Sequence, residues 1–269
     1  MDNLDNLDNL DNLDNLDNLD NLDNLDNLDN LDNLDYLDCI VLCGGKCGSS
    51  TLSQTLTNNN LKNIKVHSHN DFIIQFNYNG LIETINKNKK NKKIYIIDSY
   101  RNPIERKISS FFQNIHMYCG INYKNISIEN LITIFNNEFI FILEEYHPIN
   151  DILKEYNLES FNYFDFNRGY NILQKDNLIF IKLQFKNINI WEKQLKEIFE
   201  TNITFYSNNI SINKEYNDIY RLFKKNYKVP KSYIDNNLKN DIEFKIYNTK
   251  EEQEIYINKC NQEYFFEHN

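Results

Sequence analysis

Residues 38–56, DCIVLCGGKCGSSTLSQTL, bring together a lysine, three glycines and three consecutive hydroxyl residues directly after an apolar run. Gly44, Gly45 and Gly48 are three of the chain's six glycines. Packed into five positions, they mark a backbone that turns tightly and lets a partner come close. Ser49, Ser50 and Thr51 supply hydroxyls and a capping residue where a helix begins. A helix N-terminus carries unpaired N–H groups and the positive end of the helix dipole, so its chemistry is anion binding. Lys46 adds a full positive charge at the mouth. The spacing therefore predicts a strand, an anion loop and a helix over 50–59. The loop departs from the nucleotide-triphosphate pattern G-x-x-x-x-G-K-[ST], in which lysine follows the last glycine. Here Lys46 precedes Gly48.

A second constellation follows the apolar run 94–97 and Asp98, in RNPIERKISSFF at 101–112. Pro103 suits the first turn of a helix, where its missing N–H costs nothing. Arg101 then stands at a strand end and Ser109 two turns along the helix. An arginine fork and a hydroxyl jointly suit a phosphate dianion through charge-assisted bonds. His67 and His69 close a short β-compatible run that begins at residue 64. Ligands of open α/β sheets bind at the carboxyl ends of strands, which brings these histidines near the loop if the sheet is parallel.

The order of lysine, glycine and hydroxyl residues, followed at a suitable distance by R-x-P and a serine eight residues after the arginine, resembles sulfotransferases that use 3′-phosphoadenosine 5′-phosphosulfate (PAPS). RNPIERKISSFF is especially similar to the sulfotransferase-like branch described as capsular polysaccharide synthesis proteins. The resemblance extends through FDFNRGYNIL, NLIFIKLQFKNINIWEKQLKEIF and VPKSYIDNNLKNDIEFKIYNTKEEQEIYINK, and so covers nearly all of 38–269. It implies transfer of a sulfonyl group from PAPS to a hydroxyl-bearing acceptor, a carbohydrate, with no metal. It assigns Lys46, Gly48, Ser49, Ser50 and Thr51 to the 5′-phosphosulfate, and Arg101 and Ser109 to the 3′-phosphate. Lys65-Val66-His67 is similar to the strand that carries the catalytic histidine in one branch. His67 is accordingly the first choice for general base and His69 the second, histidine titrating nearest working pH. Lys46 would stabilise charge growing on the leaving phosphate. Other branches use glutamate, so Glu83 and Glu105 stay open as bases. Asn102 stands where many relatives carry Asp, and Gln184 where they commonly carry Glu. A P-loop kinase of small molecules, with Asp98 as its one candidate acid for magnesium, and a catalytically silent nucleotide- or glycan-binding relative are the alternatives.

These residues need a scaffold, and the rest of the chain supplies the elements for one. The 269 residues open with eleven Asp-Asn-Leu triplets over 2–34. A period of three builds no face on a helix or a strand, and thirteen aspartates before residue 39 have no basic partner among them. The expectation is a disordered low-complexity tail over 1–37 and a single domain over 38–269. The formal charge of −10 belongs to the repeat and the Asp38 that follows it, since residues 39–269 hold 29 basic against 26 acidic residues, a balance of +3 that suits an anionic ligand. Nothing singles out nucleic acid as a partner, and no segment reads as a signal peptide or membrane anchor. Abundant Asn, Ile, Lys and Tyr suggest an AT-rich genome, as in giant viruses or some protists. Five cysteines without a C-x-x-C pair suggest free thiols in a reducing compartment, the cytoplasm. Residues 72–86 read as a helix, 87–93 as a solvated basic loop, and Thr249 to Glu252 as a helix cap. The predicted fold is a three-layer, P-loop-like α/β fold with a mainly parallel sheet of four or five strands and a helical C-terminal portion.

Overall fold

The computed structural model describes residues 34–76, 80–90, 92–141, 147–206 and 215–261. Five strands, β1 (Cys39–Leu42), β2 (Asn63–Val66), β3 (Ile94–Tyr100), β4 (Tyr170–Lys175) and β5 (Leu178–Gln184), form one sheet in the order β2-β1-β3-β5-β4. All pairings are parallel except that of β4, which runs antiparallel along β5. The mainly parallel sheet expected from the apolar runs is thus present. Because β2 lies on one side of β1 and β3 on the other, winding reverses at β1. Such a reversal opens a crevice at the strands' carboxyl ends.

Alternation along the strands sorts side chains to two faces. On one face Ile40, Leu42, Ile94, Ile96 and Phe180 pack beneath two helices, α3 (Leu81–Asn88) and α7 (Pro148–Glu155). On the other, Val41, Ile97 and Ile181 meet α1 (Ser49–Asn58) and α8 (Trp191–Phe199), through Leu52, Leu56, Trp191 and Leu195. These are the three layers. A further core of aromatic residues joins α4 (Pro103–Gln113) to α6 (Ile128–Glu138) and α9 (Asn217–Asn226), with the short α5 (Ile115–Cys119) alongside. Its centre is Phe111, Phe135 and Phe223, whose rings meet edge to face or tilted at 5.2–6.3 Å. The C-terminal α10 (Lys231–Asn236), α11 (Ile242–Ile246) and α12 (Lys250–Asn261) add Tyr233, Phe244 and Tyr256 to it. The helical C-terminal portion therefore anchors α4, the helix that follows Arg101. Among the described residues no helix is long and apolar enough to cross a membrane.

Local chemistry sets some of the boundaries. Thr249 and Glu252 form a reciprocal capping box: Thr249 Oγ1 accepts from the Glu252 N–H at 3.1 Å and Glu252 Oε2 from the Thr249 N–H at 2.9 Å. The helix expected over 72–86 is instead two, α2 (His69–Phe76) and α3, with 77–79 outside the described residues and Gly80 capping α3. At the start of α2, Ser68 Oγ accepts from the Asp71 N–H at 2.9 Å, so the helix begins earlier than its apolar pattern suggests.

The expected tail over 1–37 needs a correction at its end. Residues 1–33 lie outside the described residues, whereas Leu34 and Leu37 are buried in the core beneath α3. Asn88 of α3 clasps both, its Nδ2 donating to Leu34 O and its Oδ1 accepting from the Leu37 N–H, each at 2.7 Å. Two lysines of the basic run reach the same segment, Lys87 to Asp35 and Lys92 to Asp38. The last triplet is thus read by the fold through its leucine, which periodicity alone gives no reason to bury. Leu37→Ala should lower stability by about 2–5 kcal/mol, the usual loss for a buried leucine. Urea unfolding measures it, and a change below about 0.5 kcal/mol would place 34–37 outside the folded unit.

Candidate functional site

The loop between β1 and α1, residues 43–48, lies in the crevice at the winding reversal. Two of its residues are in the left-handed region, Lys46 at φ +67° and Gly48 at φ +88°. For lysine that conformation costs roughly 1–2 kcal/mol, so neighbouring contacts must hold it. Gly48 is fixed twice over, because a Cβ there would stand 2.8 Å from Trp191 Cη2 and 3.0 Å from the Phe185 ring.

What holds the loop is a set of side-chain donors on its carbonyls. His67 Nδ1 lies 2.8 Å from Cys43 O, Arg106 Nε donates to Gly45 O at 3.1 Å, and Arg101 Nη1 to Lys46 O at 3.0 Å. The Ser99 hydroxyl donates to Cys47 O. Each donor follows from its strand. Alternation along β3 sends Ser99 and then Arg101 toward the loop's side of the sheet, opposite Asp98 and Tyr100. Arg106 follows on α4, buried beside Pro103 and Lys107. No peptide among the described residues is cis, and across a trans peptide the N–H points opposite to the preceding C=O. The N–H groups of Lys46, Cys47 and Gly48 are therefore turned away from the arginines and Ser99, and that of Gly44 away from His67. Ser49 and Thr51 are buried in the first turn of α1, while Ser50 is half-buried and its Oγ lies 3.4 Å from Lys65 Nζ.

The residues proposed from sequence do not all converge equally. Lys46, Gly48, Ser49, Ser50, Thr51 and Arg101 lie together around the loop. Arg101 is half-buried and lies 4.6 Å from the centre of the Phe185 ring, a cation–π contact that fixes its fork. Ser109 is half-buried on α4, one turn beyond Glu105 on the same stripe. His67 directly follows β2, and its bond to a carbonyl requires Nδ1 to carry the proton, leaving Nε2 as the acceptor. His69 opens α2. Glu83 is exposed on α3. Glu105 accepts from the Tyr256 hydroxyl, and burial nonetheless raises its carboxyl above the ordinary range. Gln184 is buried with both ends of its amide used, Nε2 donating to Tyr247 O and Oε1 accepting from Asn187. A carboxylate could not make the first bond, which accounts for glutamine at this position. Cys43 and Cys47 are buried, and burial raises both thiols, that of Cys47 to about 11.

Sequence reasoning missed a buried chain of charge beside the loop. Asp98 and Lys182 are direct partners in the β3–β5 register, and their side chains meet at 2.7 Å, 2% and 1% exposed. Lys182 also lies 3.3 Å from Glu243 Oε2, which in turn meets His147 Nδ1 at 2.9 Å. Burial disfavours the Lys182 charge, but Asp98 and Glu243 outweigh it and hold the ammonium well above the ordinary lysine range. Burial likewise opposes the Glu243 charge, and Lys182 and His147 outweigh it, holding the carboxyl at about 2. The signal was one lysine in LIFIKLQ and one aspartate in IYIID, each in a run otherwise read as core. A buried charge demands a counter-charge. A small pocket on this side joins His147 to Gly44, Ser99, Arg101 and Arg106.

Lys182→Met should cost about 3–5 kcal/mol, because Asp98 and Glu243 would then face each other with their shared cation gone. Adding Asp98→Asn should restore part of that loss. Chemical denaturation of the single and double variants measures both, and a single variant within 1 kcal/mol of wild type would mean the chain is not buried in solution.

No family model, curated protein or solved structure matches the chain.

Proposed function

We propose that the chain is a PAPS-dependent sulfotransferase acting on a hydroxyl, with a carbohydrate as acceptor. The observation that carries the reading is the carbonyl-bound loop 43–48. Donors on the carbonyls of Gly45, Lys46 and Cys47 leave the succeeding N–H groups turned the other way, next to the N-terminus of α1. Successive amides and a helix N-terminus make an anion nest, the arrangement a P-loop-like fold uses for phosphate. The 5′-phosphosulfate of the donor would lie against Lys46, Gly48, Ser49, Ser50 and Thr51. Its 3′-phosphate would meet Arg101 and Ser109.

The chemistry follows from these placements. The acceptor oxygen attacks sulfur, the bond from sulfur to the 5′-phosphate oxygen breaks, and the electron pair leaves with adenosine 3′,5′-bisphosphate. Charge grows on that phosphate oxygen, so Lys46 and the fixed amides lower the barrier more than they tighten ground-state binding. The proton of the acceptor needs a base, and the resemblance nominates His67, whose Nε2 is the unprotonated nitrogen. Arg101 has a double role, since one N–H already holds Lys46 O. It thereby couples the 3′-phosphate to the shape of the 5′ loop.

The kinase alternative needs a carboxylate aimed at magnesium. Asp98 is the acid available for that task, and it is committed to Lys182 at 2.7 Å and to the Ser99 N–H at 2.7 Å. That pairing favours the sulfotransferase reading.

Calorimetry with adenosine 3′,5′-bisphosphate, adenosine 5′-monophosphate and ATP with magnesium tests it. The bisphosphate should bind most tightly. Arg101→Ala should weaken the bisphosphate on the order of 10- to 100-fold, as expected for loss of a charged hydrogen bond of roughly 1.5–3 kcal/mol. The monophosphate should lose less, through the loosened Lys46 carbonyl alone. Equal losses would remove Arg101 from the 3′-phosphate, and tighter binding of ATP with magnesium would favour the kinase.

A further inference from the structure

We infer that the seat of Leu34 and Asp35 beneath α3 is a recognition site for a Leu-Asp pair in general, and that the repeat over 2–33 supplies it with interchangeable occupants from within the same chain. The seat takes hold of this segment at few points. Leu34 is 4% exposed among the core residues of α3, and Asn88 Nδ2 donates to its carbonyl at 2.7 Å. Lys87 pairs with the Asp35 carboxylate, and Lys62 Nζ donates to Asp35 O at 2.7 Å. Lys92 Nζ donates to Tyr36 O, also at 2.7 Å. These contacts go to one leucine, one carboxylate and the backbone, the parts that every triplet of the repeat shares. Ten further Leu-Asp pairs precede Leu34, from Leu4-Asp5 to Leu31-Asp32, in residues outside those the structure describes.

Tyr36, the residue after the pair, suits the seat less well than the repeat would. It is 74% exposed and stands at φ +63°, in the left-handed region. That conformation penalises a bulky side chain and is far more common for asparagine, whose short polar side chain bonds locally. Each of the ten upstream pairs is followed by asparagine, and Tyr36 is the exception. An upstream Leu-Asp-Asn therefore matches both the contacts and the backbone geometry of the seat. It matches in charge as well, since Lys62, Lys87 and Lys92 line the seat and each triplet brings one carboxylate.

Leu37 and Asp38 give the exchange a fixed end. Leu37 is fully buried, Asp38 N donates to Lys62 O at 2.8 Å, and Asp38 O accepts from the Tyr95 N–H at 3.0 Å, so the two continue into β1. When an upstream pair enters the seat, the intervening triplets leave as a loop between it and Leu37. Loop-closure entropy grows only slowly with length, so pairs several triplets away remain competent. Leu34 holds the seat in the native sequence because its connection to Leu37 is the shortest. The fold thereby tolerates the gain or loss of whole triplets, a Leu-Asp pair always remaining within reach.

Urea unfolding of full-length chains tests this, with and without Leu34→Ser, each in the intact repeat and in a repeat whose ten upstream leucines are serine. With Leu34 present, the serine repeat should leave the midpoint unchanged; a lowered midpoint there would mean that the repeat packs elsewhere, and would overturn the assignment of the seat. Leu34→Ser should lower the midpoint at least about twice as far in the serine repeat as in the intact one, the coupling that a double-mutant cycle isolates. A Leu34→Ser chain that fails to fold only in the serine repeat is the extreme of the same result. Equal shifts in the two backgrounds, or failure to fold in both, overturn the inference. Rescue that fades on dilution of the protein overturns it too, because the occupant would then be the repeat of a second copy.

Discussion

The site depends on one constraint, the need of the loop's backbone carbonyls for donors. Four carbonyls in the loop after β1 are turned outward, and each finds its donor on a different part of the chain: His67 after β2, Ser99 in β3, Arg101 after β3 and Arg106 in α4. At Cys43 and Cys47, which are buried, an unmade bond would cost about 1–3 kcal/mol. Together these contacts offset the left-handed Lys46 and fix which way the amides point. The loop is thus shaped before any ligand arrives, the condition under which its dipoles contribute most to stabilising developing charge.

Parallel topology makes those contacts available. The winding reversal at β1 places β2 and β3 on either side of it, so donors from both strands reach the same loop. The aromatic core about Phe111, Phe135 and Phe223 then holds α4 with Arg106 against the loop. On the opposite face, the Asp98–Lys182 pair spans β3 and β5 and carries Glu243 and His147 to the pocket. Sheet, aromatic core and buried charge each fix one wall.

Parts of this were legible in the sequence because the signal was local. The glycines at 44, 45 and 48 and the hydroxyls after them mark the loop and α1. Arg101 followed by Pro103 marks a strand end and a helix start. Thr249 and Glu252 form the box their spacing predicts. Other parts rest on contacts between distant residues and left no local trace. Lys182 meets partners 84 and 61 positions away. His147 becomes informative only once Glu243 is beside it. Leu34 belongs to a repeat whose period builds no face, and its burial depends on Asn88. That Arg101 also binds the loop's own backbone is a matter of fork geometry, which spacing does not encode.

The most direct test of the central claim is to follow backbone amide resonances by NMR while adenosine 3′,5′-bisphosphate is added. The account predicts that the largest downfield shifts fall on Lys46 through Thr51, the amides turned away from the loop's carbonyl donors and those opening α1. Saturable binding with those amides unmoved, and the main shifts elsewhere on the chain, would contradict it.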